Sequence, residues 1–199
     1  MAEELELKAV VADPAALRSR LTAAGATPGF HGLMTDHRYD REGALTARDE
    51  VLRVRSYRPV AGPATAEIAW KGPATRSPEG YKRRTELTCD ARPAPDEPGA
   101  LLEALGYRVV HTIDRKVEVW LLAGATLRIE WYPRMDVLLE VEGAPAAIEA
   151  AVSATGLPRE SFTAEALIDF VRRYEPRAGR PAALSLRELG GDPPAWGAE

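Results

Sequence analysis

The chain repeatedly places like charges on one face of a candidate β-strand. Glu4-Leu5-Glu6-Leu7-Lys8 alternates two carboxylates with two leucines, and Arg53-Val54-Arg55 and Glu140-Val141-Glu142 repeat this spacing. Side chains alternate across a strand, so residues two apart share a face. Like charges on one face repel each other unless counter-charges, a metal cation or water lies between them. If these faces met inside a closed or strongly curved sheet, its interior would be a lattice of acids and bases.

A solvated outer face gives the same alternation, and a single strand of this kind favours that interpretation. Its recurrence on separate strands favours a site instead. Lys71 closes the segment Glu67-Ile68-Ala69-Trp70-Lys71, and Arg83 and Arg84 precede Glu86. Either arginine could take the inward position, and Glu86 fits equally a partner inside the sheet and a surface salt bridge.

Composition excludes several classes of protein. A chain of 199 residues with 45% hydrophobic content can bury the core of one domain. Its formal net charge of -4 provides no general basic surface, so we expect no nucleic-acid partner. Cys89 is the single cysteine, which excludes an intrachain disulfide and a cysteine-rich zinc site. We find no signal peptide and no apolar run of about 20 residues, so we expect a cytoplasmic protein without membrane association.

The secondary-structure pattern predicts an antiparallel sheet with a few helices. After the first strand, Asp13 can cap a helix that has Pro14 at its first position. Further strands are expected near residues 29–40, 50–58, 65–71, 81–89, 107–122, 125–132 and 136–142, and further helices near 99–105, 145–152 and 163–174. Ala123-Gly124 is a candidate tight hairpin turn. We predict one domain over residues 1–175 and a poorly ordered C-terminal tail over 176–199.

The charged residues have the chemistry of a site for a polyphosphate bound with a divalent metal. Carboxylates form the hard-oxygen sites that hold Mg²⁺ or Mn²⁺, and arginine forks and lysines bind phosphate oxygens. The candidate metal ligands are Glu4, Glu6, Glu140 and Glu142, and the candidate phosphate ligands are Lys8, Arg53, Arg55, Lys71, Arg84 and Arg115. The chain has neither a G-x-x-x-x-G-K-[ST] loop nor a G-x-G-x-x-G segment after a strand. A triphosphate would therefore be held by side chains on strands.

These residues resemble a known family. Glu4-x-Glu6-x-Lys8 is similar to the E-x-E-x-K signature of the CYTH family, the triphosphate tunnel metalloenzymes, which include class IV adenylate cyclases, thiamine triphosphatases and inorganic triphosphatases. Further family elements follow in order: Thr35–Asp40, Leu52–Arg55, Trp70–Pro73, Arg83–Glu86 and Leu139–Gly143. The resemblance covers residues 3 to 172. It implies an α+β fold built on an eight-stranded antiparallel β-tunnel, a closed barrel with peripheral helices and inward-facing charges.

The resemblance also implies roles for individual residues. Glu130 stands where the family has a metal-binding aspartate, which adds it to the candidate metal ligands. Lys71 or Tyr39 is implied to assist proton transfer, by analogy with the family's thiamine triphosphatases. On the strand near residue 113, either Arg115 or Lys116 could face the interior of the tunnel. The three histidines, His31, His37 and His111, are interpreted as ordinary polar or core residues.

Three functions fit these expectations. The first is a metal-dependent phosphohydrolase that releases phosphate from an inorganic, nucleoside or thiamine triphosphate. The second is a class IV adenylate cyclase that converts ATP to cyclic AMP and pyrophosphate in the same tunnel. The third is a polyphosphate-binding module without activity. All three imply a small-molecule triphosphate as partner and Mg²⁺ or Mn²⁺ as cofactor, and we expect a monomer or a homodimer.

Overall fold

The computed structural model describes the backbone of residues 2–91 and 96–196 and, within these ranges, the side chains from Leu5 onward. Its strands are β1 (Ala2–Val10), β2 (Thr27–Asp40), β3 (Val51–Pro59), β4 (Thr65–Lys71), β5 (Thr75–Arg76), β6 (Lys82–Asp90), β7 (Arg108–Leu122), β8 (Ala125–Trp131) and β9 (Leu138–Glu142). Its α-helices are α1 (Pro14–Ala23), α2 (Glu97–Ala104), α3 (Pro145–Thr155) and α4 (Leu167–Ala178).

Eight antiparallel strands close into a barrel. Their order is β1-β9-β8-β7-β2-β3-β4-β6, and β6 pairs back with β1 through the register Glu6↔Lys82. This confirms the predicted eight-stranded tunnel, and the short strand β5 adds an extra pairing at the edge of β6. The turn between β7 and β8 has positive φ at both Ala123 and Gly124, as the twist of a two-residue hairpin requires. Because the sheet is closed, one face of every barrel strand points inward.

The main hydrophobic core lies outside the barrel. Outward-facing Leu127, Ile129 and Val141 of β8 and β9 pack against α1 and α3, which contribute Leu17 and Ile148 among other residues. All five of these side chains are almost fully buried. Since the apolar residues form this outer layer, the barrel interior is left to the charged ones. Within the described ranges, no helix combines the length and apolar character that crossing a membrane would require.

The segment after α4, which the sequence predicted as a poorly ordered tail, packs against the barrel in the structure. The amide of Asp114 donates to the carbonyl of Leu184 over 2.8 Å, and Ala183 forms a β-bridge with Arg134. Leu184 and Leu189 are buried. Composition alone suggested disorder because residues 176–199 are rich in alanine, glycine, proline and arginine. The burial of these leucines depends on tertiary contacts that such a count does not contain.

We predict that Leu184→Ala lowers the free energy of unfolding by about 2 kcal/mol or more, because it leaves a cavity beside α4. Leu186→Ala is the matched control, since Leu186 is 46% exposed, and its effect should stay within about 0.5 kcal/mol. Urea unfolding followed by circular dichroism measures both. Equal effects of the two substitutions would show that residues 183–189 are not docked in solution.

Candidate functional site

The inward faces of the barrel strands surround a cavity of about 240 Å³. In the described part of the chain its basic lining residues are Lys8, Arg38, Arg53, Arg55, Lys71, Lys82, Arg84, Arg115 and Arg128, and its acidic ones are Glu6, Asp36 and Glu140. All six predicted phosphate ligands are among the basic residues. The segment that leads into α4 and the C-terminal segment add Ala166, Leu167, Ile168 and Leu184 to the lining.

Three predicted metal ligands form a carboxylate cluster. Oxygen atoms of Glu6, Glu140 and Glu142 all lie within 4.8 Å of one another. The strand register explains the cluster, because Glu6 on β1 pairs directly with Glu142 on β9. Glu4 lies next along the same face of β1, but its side chain is outside the described residues.

Basic side chains neutralise this carboxylate cluster. The ammonium of Lys8 lies 2.7 Å from Glu6 and 2.5 Å from Glu140. Lys82 also binds Glu6, and Arg128 binds both Glu140 and Glu142. Burial opposes the charge of Glu140, but the positive charges of Arg128 and Lys8 hold its pKa well below the usual value. Glu140 is therefore ionised at neutral pH and able to act as a ligand.

Glu130 is not part of the carboxylate cluster, although it lies 3.8 Å from Arg128, which binds Glu140 and Glu142. It is 1% exposed, accepts a hydrogen bond from the hydroxyl of Tyr132 at 2.6 Å, and forms an ion pair with Arg115 at 3.0 Å. Burial, followed by the charge of Glu130, raises the pKa of Tyr132 well above its usual value, so this hydroxyl remains a donor. In the structure Glu130 positions Arg115, and its predicted role as a metal ligand remains a prediction.

Asp36 is the centre of the basic side of the cavity. Arg55 binds both of its carboxylate oxygens, at 2.6 and 2.9 Å, Arg115 binds it as well, and Arg53 lies 3.8 Å away. Burial alone would raise the pKa of Asp36, but the charges of Arg115, Arg55 and Arg53 hold it well below the usual value. One buried carboxylate thus orients the guanidinium groups of Arg55 and Arg115, while Arg53 donates to Glu67 over 3.0 Å.

The structure shows which residue faces the cavity in the two uncertain pairs, Arg83/Arg84 and Arg115/Lys116. Arg84, and not Arg83, lines the cavity, and its guanidinium donates to Asp49 over 2.7 Å. Arg115, and not Lys116, does so on β7. Lys71 also lines the cavity and forms an ion pair of 3.2 Å with Glu86, which therefore has an inward role.

Tyr39 does not lie in the cavity, which corrects its predicted role in proton transfer. Its side chain is buried with Val54 and Leu102 on the outer face of the barrel. A Cβ at Gly99 of α2 would come within 2.8 Å of the Tyr39 hydroxyl, so the helix covers this residue closely. The inward position on this part of β2 belongs to its neighbour Arg38.

Sequence reasoning missed five groups that line the cavity: Asp36, Arg38, Lys82, Arg128 and His111. The alternation could have indicated four of them, because Asp36 and Arg38 are two apart, and Lys82 and Arg128 stand two residues from Arg84 and Glu130. Charged pairs with this spacing also occur on ordinary solvated strand faces, so these pairs did not by themselves indicate a site. His111 had no such signal, although it lies in the lining of the cavity.

The sequence matches no protein-family model and no curated protein. Solved structures do match. The PH1819 protein of Pyrococcus horikoshii OT3 superposes with a TM-score of 0.69 at 21% identity over 85% of this chain and 98% of that one. The chain has the CYTH-like tunnel fold. A candidate adenylate cyclase of Vibrio parahaemolyticus also gives a TM-score of 0.69, at 14% identity over 85% of this chain and 97% of its own.

A third tunnel structure is described together with an activity. It is a candidate adenylyl cyclase of Hippeastrum with a dominant triphosphatase activity, and it matches with a TM-score of 0.57 at 18% identity over 93% of this chain and 99% of its own. At these identities the likeness of the tunnels shows the fold alone. The chemistry of this tunnel has to be argued from its own residues.

We predict that Asp36→Asn lowers the free energy of unfolding at pH 7 by about 3 to 5 kcal/mol, because it leaves buried guanidinium groups without their counter-charge. Asp192→Asn is the control, since Asp192 is exposed and pairs with Arg134 near the surface. Denaturant unfolding checks both. A loss for Asp36→Asn no larger than that of the control would contradict the central role of Asp36.

The same carboxylate predicts a pH dependence. The pKa of Asp36 is lower in the folded protein than the value of about 3.9 expected in the unfolded chain. Its contribution to stability is therefore fully present above the unfolded pKa and is lost as the pH falls toward the folded one. The difference in unfolding free energy between wild type and Asp36→Asn should stay constant from pH 7 to 5 and shrink below about pH 4.

Proposed function

We propose that this protein is a divalent-metal-dependent phosphohydrolase that acts on a triphosphate. The observation that carries the proposal is the cavity itself, in which basic side chains from seven strands surround a carboxylate cluster. A purely acidic site would suit a metal alone, and a purely basic one would suit any polyanion. The combination suits a polyphosphate bound with a metal ion.

The basic residues would bind the phosphate chain. Arginine forks bind phosphate oxygens in pairs, and Arg55 and Arg115 are already oriented by Asp36. Groups held in place before the substrate arrives need little reorganisation when charge develops during phosphoryl transfer. Lys71, which lines the cavity beside Glu86, is the remaining candidate of the two that the sequence suggested for proton transfer.

The carboxylate cluster fits a divalent cation in its donor chemistry. Glu6, Glu140 and Glu142 offer only hard oxygen atoms, which Mg²⁺ and Mn²⁺ prefer. When bound, the cation would neutralise phosphate charge and activate a water. Lys8, Lys82 and Arg128 contact the same carboxylates, so they would be released toward the phosphate oxygens as the metal takes their place.

One observation supports hydrolysis over cyclisation. The Hippeastrum protein with the same fold is described with a dominant triphosphatase activity. The cyclase alternative is favoured by Leu167, Ile168 and Leu184, an apolar part of the lining that could contact an adenine.

Product analysis tests the proposal. The protein is incubated with tripolyphosphate, ATP or thiamine triphosphate and with Mg²⁺ or Mn²⁺, and orthophosphate, pyrophosphate and cyclic AMP are quantified. We expect orthophosphate from at least one substrate. Cyclic AMP with pyrophosphate from ATP would identify a cyclase, and tight binding of tripolyphosphate without any product would identify a binding module.

Glu140→Gln should lower kcat by on the order of 100-fold, because it removes one preorganised charge from the metal site. Glu160→Gln is the control, since Glu160 is an exposed carboxylate outside the tunnel, and it should retain wild-type kcat. Circular dichroism of both variants checks that the fold is kept. Unchanged kcat in a folded Glu140→Gln protein would remove the carboxylate cluster from the mechanism.

A further inference from the structure

Arg38 stands apart from the ion-pair network of the cavity. In the described residues every other basic lining side chain has a carboxylate partner, as in Lys8–Glu6, Arg53–Glu67, Arg55–Asp36, Lys71–Glu86, Lys82–Glu6, Arg84–Asp49, Arg115–Glu130 and Arg128–Glu142. Arg38 forms no ion pair or hydrogen bond within the described part of the chain, and its Nε is buried without a partner. An anion from outside the protein could supply the missing acceptors.

The surroundings of Arg38 are strongly basic. It pairs directly with Arg53 on β3 and with His111 on β7, and His111 lines the same cavity. Burial lowers the pKa of Arg38, the charge of Asp36 raises it, and the charges of Arg115, Arg53 and Arg84 lower it further. Burial and the charge of Arg38 together lower the pKa of His111. A partly buried cation with cations as neighbours is less favourable than a paired one, and a bound anion would compensate it.

Arg38 also lies across the tunnel from the carboxylate cluster. In the closed order β1-β9-β8-β7-β2-β3-β4-β6, β2 is four strands from β1 in both directions. Glu6 on β1 and Arg38 on β2 therefore line opposite walls of one cavity. A ligand that contacts a metal at the carboxylate cluster and also Arg38 must extend across the tunnel.

We propose that Arg38 and the neighbouring imidazole of His111 form an anion subsite that binds the far phosphate group of an inorganic triphosphate chain. The proposal rests on the proposed function, and it adds a residue that selects chain length. Arg38 can bind phosphate without breaking an internal ion pair, unlike the other basic lining residues. Pyrophosphate, which is one phosphate group shorter, leaves this subsite unfilled when it binds at the carboxylate cluster.

Binding measurements test the subsite without turnover. Tripolyphosphate and pyrophosphate are titrated calorimetrically into wild type, Arg38→Met, Arg38→Lys and the control Arg58→Met, each without metal and with Ca²⁺ in place of Mg²⁺, and an orthophosphate assay of the same samples checks that no turnover occurs. Arg58 is exposed on the outer face of β3. We expect Arg38→Met to weaken tripolyphosphate binding by about 10-fold to 100-fold, since a hydrogen-bonded charge is lost. Pyrophosphate binding should change by less than about 3-fold, Arg38→Lys should be intermediate, and Arg58→Met should match wild type.

Thermal unfolding separates this role from a structural one. Without ligand, Arg38→Met should be at least as stable as wild type, because it removes a partly buried cation that has no ion-pair partner in the described residues. With tripolyphosphate, its gain in Tm should be smaller than that of wild type. A second readout is the imidazole resonance of His111, which should shift on addition of tripolyphosphate, whereas those of His31 and His37, which are not among the cavity-lining residues, should not.

Each outcome is decisive. Wild-type affinity of Arg38→Met for tripolyphosphate overturns the subsite, and an equal loss for tripolyphosphate and pyrophosphate overturns its role in chain length. These results leave the proposed hydrolase intact if wild type still releases orthophosphate. Conversely, wild-type protein that binds tripolyphosphate through Arg38 but yields no product under any metal condition rejects the hydrolase and supports the subsite.

Discussion

Compensation of buried charge is the constraint on which the rest of this structure depends. The cavity of the described barrel is lined by nine basic and three acidic side chains, and an unpaired charge in such an interior costs several kcal/mol. The barrel keeps them by pairing cations with carboxylates around the wall, with Asp36 holding Arg55 and Arg115. The apolar core is therefore displaced to the outside, under α1 and α3. The charges decide where the hydrophobic residues can pack.

This pairing also prepares the interior for a ligand. Each carboxylate holds a basic group near the position where a phosphate oxygen would replace it, so that orientation is established before binding. Lys8 shows the arrangement most clearly, because it lies between Glu6 and Glu140. Burial lowers the pKa of Lys8, but the two carboxylates outweigh it and raise this pKa above the usual value. Its charge is thus secured in the free protein and would remain available if a metal ion bound the carboxylates.

The sequence could predict the fold and most of the charged wall because alternation is a local property of a strand. Glu6, Lys8, Arg53 and Arg55 needed only a period of two and a closed sheet. Tyr39 was assigned to the interior by the family resemblance, whereas the period of two places Arg38, two residues after Asp36, on the inner face and its neighbour Tyr39 on the outer one. Asp36 and Arg128 belong to mixed-charge pairs with Arg38 and Glu130, and such pairs resemble a solvated surface. Lys82 forms a like-charged pair with Arg84, so the period of two does indicate it.

A tunnel of this fold does not by itself select a reaction, so selectivity must come from how far its charges lie apart. Glu6 and Arg38 line opposite walls. A single phosphate group can contact the charged groups of one wall only, so the unpaired charge on the other wall still destabilises the protein. A longer anion satisfies both walls at once, and the second contact is gained without a further loss of translational freedom. The width of the barrel, which is set by its eight strands, thereby limits the length of the anion that can contact both walls, and Arg38 is suited to the second contact because its Nε has no hydrogen-bond partner in the described wall.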